Sequence, residues 1–280
     1  MFQLSVNEAV TGALPLPIPP GLKIDEGFGS GVRGLDEQER LRSDLKLAMA
    51  VQRQMLPRNR KQLATIRYAG TSTAAGGIGG DYYDFLDLGP GSLGVLLADV
   101  SGKGLPAALL TANLQAWIRC ECARGLDNVC AMLERVNAHL LESTLPQHYA
   151  TLFFGEYHDK TRRLDYVNCA QQPAIIVRRD GSIEPLETTA MPLGLLSRWS
   201  GEKKTVELGR GDTVCVCSDG VVEAGLDSGY EFGEERLHSL VAESADQDIE
   251  GAVAGVAQAA HLYALNGPTD DMTVLGIRAV

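Results

Sequence analysis

The sequence predicts an α+β fold built from stacked layers, not an alternating βαβ chain. Segments with strand character come in runs, and segments with helical periodicity come in consecutive pairs between those runs. That order favours sheets and helices segregated into separate layers. A hydrophobic share of 45% over 280 residues is ample for a core, in one large domain or two small ones.

Residues 1–35 are rich in Gly and Pro (Leu14-Pro15-Leu16-Pro17-Ile18-Pro19-Pro20-Gly21) and read as a flexible, extended segment. A helix is expected over 36–56. Asp36 with Glu39 resembles a capping box, Leu41, Leu45, Ala48, Val51 and Met55 form a stripe at 3–4 spacing, and Pro57 ends the run. Such a helix either packs on its own domain or serves as a dimer seam or regulatory contact. Strands are expected at 65–71, 82–88 and 93–100, the third a near-continuous apolar run suited to burial on both faces. After a turn at 102–104, Pro106 fits the start of a helix that reaches about residue 124. A second helix covers 128–142. Further strands follow at 150–157, 163–169 and 174–178, and Asp180-Gly181 turns the chain into a strand at 182–186. A strand at 212–217, helices at 234–244 and 249–265 and a strand at 272–278 complete the chain.

Charge narrows the function classes. A net charge of −11 and the absence of a basic stripe argue against nucleic acid as the main partner. The six cysteines include no Cys-x-x-Cys pair and have no histidine at zinc spacing, so they read as small core residues in a reducing cytoplasm. Neither a signal peptide nor a membrane-spanning run is apparent. Ser101-Gly102-Lys103-Gly104 fails the P-loop pattern, since Gly follows the lysine, and glycines 76, 77, 79 and 80 do not have dinucleotide-binding spacing.

What remains is a set of acidic motifs in apolar, glycine-flanked settings: Gly79-Gly80-Asp81-Tyr82-Tyr83-Asp84, Asp99-Val100-Ser101-Gly102, Ser218-Asp219-Gly220 and Asp270-Asp271-Met272-Thr273. Asp81, Asp99, Asp219 and Asp270 all lie at or near expected strand ends. If those ends meet at one sheet edge, the carboxylates converge and repel one another. Two divalent cations about 3.5–4 Å apart would neutralise them and activate a water for attack on phosphorus. Taken singly, Asp219 could be a turn residue, Asp99 a helix-capping one, and Asp270 or Asp271 the cap of a turn.

On these motifs the chain resembles the metal-dependent protein serine/threonine phosphatases related to protein phosphatase 2C, in their bacterial SpoIIE/RsbU-type branch. The resemblance also rests on Gln52-Arg53-Gln54-Met55-Leu56-Pro57, Ala98 to Leu109, Pro192-Leu193-Gly194 and Phe232 to Leu237, in family order over about residues 45–280. It implies a four-layer α-β-β-α sandwich of two mainly antiparallel sheets flanked by helix pairs, with 57–280 as the catalytic domain and 36–56 as a regulatory or linker helix. It further implies two Mn²⁺ or Mg²⁺ ions held by Asp81, Asp99, Asp219, Asp270 and the Val100 carbonyl. Asp84, Glu223 and Asp271 would be auxiliary groups. The implied reaction is hydrolysis of phosphoserine or phosphothreonine on a protein, such as an anti-sigma-factor antagonist in a partner-switching pathway. An activating partner, or a homodimer through the 36–56 helix, would set the activity. Three positions depart from the pattern: Gln171 replaces a histidine of the branch, Ser101 stands where animal relatives have one, and Gly77 fills a position often acidic. Those departures leave a second reading, a weakly active or inactive signalling scaffold.

Overall fold

The computed structural model describes residues 30–57, 61–126 and 128–280. Within 1–35, the run up to residue 29 therefore falls outside the described residues. The first helix, α1, spans Ser30–Met55 and starts six residues before the expected 36. No proline lies between Pro20 and Pro57, so nothing there removes a helical donor. Residues up to Leu45 belong to one unit, and residues 46–280 form another.

In that second unit the strands build two five-stranded antiparallel sheets. The first contains β1 (Ile66–Thr73), β10 (Met272–Ala279), β9 (Thr213–Cys217), β6 (Ala174–Val177) and β7 (Ile183–Leu186), in that spatial order. The second contains β2 (Asp81–Asp87), β3 (Ser92–Val100), β4 (Ala150–His158), β5 (Arg163–Cys169) and β8 (Lys204–Glu207). Alternation sorts each strand's side chains onto two faces. Tyr83, Phe85, Val95 and Leu97 of the second sheet meet Val214, Val216, Leu275 and Ile277 of the first in one central core. The opposite faces each carry a helix pair. Helices α2 (Gly104–Ala123) and α3 (Val129–Ser143) cover Tyr82, Leu96 and Phe154, and α5 (Gly233–Glu243) and α6 (Ile249–Tyr263) cover Cys215, Cys217 and Val274. The result is the expected α-β-β-α sandwich.

Local chemistry explains most boundaries. Asn128 caps α3 by accepting from the Ala131 N–H, and Asp248 caps α6 through Gly251. Pro106 lies in the first turn of α2, where its missing N–H costs nothing. A one-turn helix, α4 (Asp219–Val222), follows β9 and was not expected from the sequence; neither was the edge strand β8. Among the described residues no helix is long and apolar enough to cross a membrane.

Candidate active site

The two sheets meet at an acidic rim. Asp81 opens β2 and Asp99 lies near the end of β3, and the two are direct register partners. Both are in step with the residues that face the central core, so their side chains share one face, where opposed Cβ atoms stand roughly 4.5–5.5 Å apart. Asp219 begins α4, immediately after β9, and Asp270 lies two residues before β10. The rim thus gathers one carboxylate from each of four segments.

Glycines and one carboxylate hold the rim in shape. Asp271 accepts from the backbone N–H groups of Ala75 (2.9 Å), Gly80 (2.7 Å) and Asp81 (3.3 Å), which ties the 75–81 loop to the other sheet. A Cβ at Gly79 would sit 1.8 Å from Asp271 Oδ2, and one at Gly220 would sit 2.2 Å from the Asp271 carbonyl. A Cβ at Gly80 would sit 2.6 Å from the Val100 carbonyl oxygen and 3.2 Å from Asp99 Oδ1. Only glycine lets these backbones approach so closely. Across the sheets, Thr273 Oγ1 donates to Asp81 Oδ2 at 2.6 Å. Ser218 accepts from the Thr273 N–H and donates to the Asp271 carbonyl.

The electrostatics of the rim are those of a site short of positive charge. Burial, then the charge of Asp99, pushes the Asp81 carboxyl well above the usual carboxylate range. Burial, followed by the charges of Asp219 and Asp270, pushes Asp99 up to about 7. Asp219 is raised by burial and by Asp270. Glu223, exposed on the turn after α4, is raised by partial burial and then by Asp219 and Asp270. One lysine answers them: Lys103 Nζ lies 2.9 Å from Asp270 Oδ2 and donates to the Thr269 carbonyl at 2.8 Å.

The auxiliary candidates divide. Asp84 faces the opposite side of β2, into the helix layer, because it stands three residues from Asp81. There it accepts from Tyr82 Oη (2.6 Å), Arg119 Nε (2.7 Å) and the Phe85 N–H (2.9 Å), so it is a buried ion-pair anchor remote from the rim face. Asp271 spends its carboxylate on the loop. Glu223 stays within the field of the rim.

Sequence reasoning missed several partners. Thr273 could have been found by period-two alternation, since it aligns with Leu275 and Ile277 on the core face. Gln52 on α1 clamps the Gly79 backbone with both amide atoms, donating at 2.7 Å and accepting at 3.1 Å. Along α2, Thr111 donates to the Gly80 carbonyl (2.8 Å), Gln115 to the Met55 carbonyl at the end of α1 (2.7 Å), and Arg119 to Asp84. The structure also decides between the two readings of the α1 stripe only in part. Ala48, Gln52 and Met55 are half-buried, one helical face at i, i+4, i+7, whereas Val51 is exposed. Gln171 is buried; it accepts from the Thr151 hydroxyl, and Thr151 pairs with Asp99 across β3 and β4. It thus brings a neutral amide one strand away from the acidic rim.

The donors at the rim fit a hard divalent cation: carboxylates and a backbone carbonyl, all oxygen. Among the described residues, however, no three acidic, histidine or cysteine side chains already stand close enough to clasp one ion. Asp81 is turned to Thr273 and Asp270 to Lys103, as expected for repelling carboxylates that take other partners.

Comparison with known proteins is decisive on family. The model of the stage II sporulation protein E family (SpoIIE) matches residues 89–280, more than half of the chain. The chain belongs to the SpoIIE family. Asp81 lies before the matched span, and its pairing with Asp99 attaches it to the family region. A SpoIIE-family relative in Bacillus subtilis, phosphoserine phosphatase RsbU, is 25% identical over 71% of this chain and 58% of its own length. The chain spans 58%, 35% and 45% of the length of three curated relatives, less than two thirds of each. Among solved structures, the SiaA-PP2C domain of Pseudomonas aeruginosa has a TM-score of 0.72 at 19% identity, covering 86% of this chain and 98% of that one. The catalytic domain of the serine/threonine phosphatase PstP with two manganese ions has a TM-score of 0.58 at 15% identity, covering 77% and 99%. At those identities the likeness is one of fold.

Proposed function

We propose that this chain is an Mn²⁺- or Mg²⁺-dependent phosphatase that hydrolyses phosphoserine or phosphothreonine on a protein. The observation that carries the reading is the register pairing of Asp81 with Asp99 on the core face, where burial, with Asp219 and Asp270 nearby, raises Asp99 to about 7. Family membership and the name of the relative RsbU support it. Asp81, Asp99, Asp219, Asp270 and the Val100 carbonyl would hold two ions, with Glu223 as an outlying acid. When bound, such an ion pair supplies Lewis-acid activation of a water and of the phosphoryl oxygens. The chain's own residues do the positioning: Thr273 orients Asp81, Asp271 fixes the 75–81 backbone, and the buried sheet edge limits water. Without an imidazole at 101 or 171, the departing serine takes its proton from solvent.

By the family resemblance, we take the substrate to be a phosphorylated anti-sigma-factor antagonist. We further take 36–56 as a regulatory or linker helix, acting through an activating partner or a homodimer, and 57–280 as the catalytic domain. Six free thiols favour a reducing compartment, which we take to be the cytoplasm. The test is phosphate release from a phosphoserine protein with Mn²⁺, with EDTA, and in Asp219→Asn. Equal rates in all three would overturn the reading. A second reading, a scaffold that hydrolyses little, is favoured by Lys103 on Asp270 and by the neutral Gln171. Calorimetry separates the two: no Mn²⁺ binding at millimolar concentration selects the scaffold.

A further inference from the structure

Beside the acidic rim lies an apolar surface with no role in holding ions. Leu105, Leu109, Leu145, Tyr149, Leu195 and Leu196 are large side chains that remain 41–65% exposed. They come from three segments that are stitched together. Ser101 and Tyr149 exchange backbone and side-chain hydrogen bonds, both at 2.9 Å. Ala150 pairs with Leu193, and Asn137 accepts from the Gly194 N–H while donating to the Leu196 carbonyl. Leu105 and Leu109 are one turn apart on α2, and Leu110 beside them packs with Thr144, His148 and Tyr149. The surface starts two residues from Lys103, the partner of Asp270, so it is continuous with the rim.

Its charge is as informative as its apolarity. The chain carries a net charge of −11, yet residues 101–109, 144–149 and 192–198 contain no carboxylate, only Lys103 and Arg198. An acid-free apolar apron next to a cation-holding site suits a partner that brings a dianionic phosphate and aliphatic neighbours together. A two-fold dimer through the same surface would instead close the mouth of the rim on both copies. We propose that this apron is the docking surface for the substrate protein, and that it selects phosphoserine or phosphothreonine flanked by aliphatic side chains. The inference rests on the phosphatase reading above. It adds that recognition is apolar.

The experiment uses two synthetic phosphoserine dodecapeptides, one flanked by Leu, Ile and Val and one by Asp and Glu, with p-nitrophenyl phosphate as a small substrate. With Mn²⁺ the wild-type chain should prefer the aliphatic peptide about tenfold in kcat/KM, equivalent to about 1.4 kcal/mol. In Leu109→Asp with Leu196→Asp the ratio should fall to near one through KM. Leu226→Asp, which alters an exposed leucine outside the apron, should keep it. A wild-type ratio near one overturns the inference, and so does a double variant that loses p-nitrophenyl phosphate hydrolysis in equal measure. So does a dimer in sedimentation that dissociates in the double variant. If the wild-type chain hydrolyses none of the three, the phosphatase reading fails by itself. Fluorescence anisotropy of the labelled aliphatic peptide then decides docking: equal affinity of wild type and double variant overturns it.

Discussion

Two groups of buried or half-buried acids lie on opposite faces of the same sheet, and they are treated in opposite ways. On the helix side, Asp84 is met by Arg119, Tyr82 and a backbone N–H, and Glu121 by Arg124 and Arg135. On the core side, Asp81 and Asp99 face each other with the Thr273 hydroxyl on Asp81 and, among the described residues, no arginine beside them. Both groups lose hydration. Only the first has its charge answered within the protein, and only the second has its carboxyls pushed upward by burial and by each other. A buried acid that a fold needs for stability is paired. One left unpaired, among other acids, is where we propose that a cation binds.

The comparison can be broken or sharpened by measurement. The largest effect is expected at the rim: Asp219→Asn should lower Mn²⁺-dependent phosphate release by about a hundredfold or more while the thermal midpoint stays within a few degrees. A large loss of stability would place Asp219 with the paired acids instead. On the helix side, Asp84→Ala leaves the Tyr82 hydroxyl and the Phe85 N–H without an acceptor. Urea unfolding should report a loss of about 2–4 kcal/mol, moderated because Arg119 is half exposed. A change below ~0.5 kcal/mol would contradict the pairing.

The two groups should also differ in pH dependence. With Asp81 and Asp99 raised, the folded protein holds more protons than the unfolded chain between the ordinary carboxylate range and about 7. Their stabilising contribution is complete below the unfolded value and is lost as pH rises through the folded one. The metal-free protein should therefore melt lower at pH 7.5 than at pH 5, by roughly 2–4 °C per kcal/mol lost. Mn²⁺ should reverse the trend, and Asp99→Asn should flatten it. The smallest effect belongs to Lys103→Met, which removes an exposed ion pair worth under about 1 kcal/mol. It should tighten Mn²⁺ binding roughly two- to threefold, because Asp270 is freed. Weaker binding in calorimetry would make Lys103 a supporting residue and not a competitor.

Much of this layout was legible in the sequence. Apolar runs, alternation and turn signals marked nine of the ten strands, and the paired helices followed from periodicity. The exception, β8, reads Lys-Thr-Val-Glu on a sheet edge with mostly exposed side chains, so it lacks the apolar signal. The four rim aspartates were visible as strand-end motifs, and the three-residue offset from Asp81 already assigns Asp84 to the other face. The clasp of Gln52 on Gly79 and the pairing of Lys103 with Asp270 were not visible. They join residues 27 apart in the first case and, in the second, the start of α2 to the segment just before β10. No local pattern encodes such meetings. The start of α1 at Ser30 was hidden by Gly31 and Gly34, which weaken helical propensity without breaking a helix.

Helix α2 carries Thr111, Gln115 and Arg119 at intervals of one turn, bound to the Gly80 carbonyl, the Met55 carbonyl and Asp84. In genetic terms, this stretch has a fixed reading frame of its own. Deleting one residue between 111 and 119 would turn everything beyond it by about 100°, and no single point change could restore all three grips. Length variation among descendants of this gene should therefore collect in the loops and leave this stretch of α2 untouched.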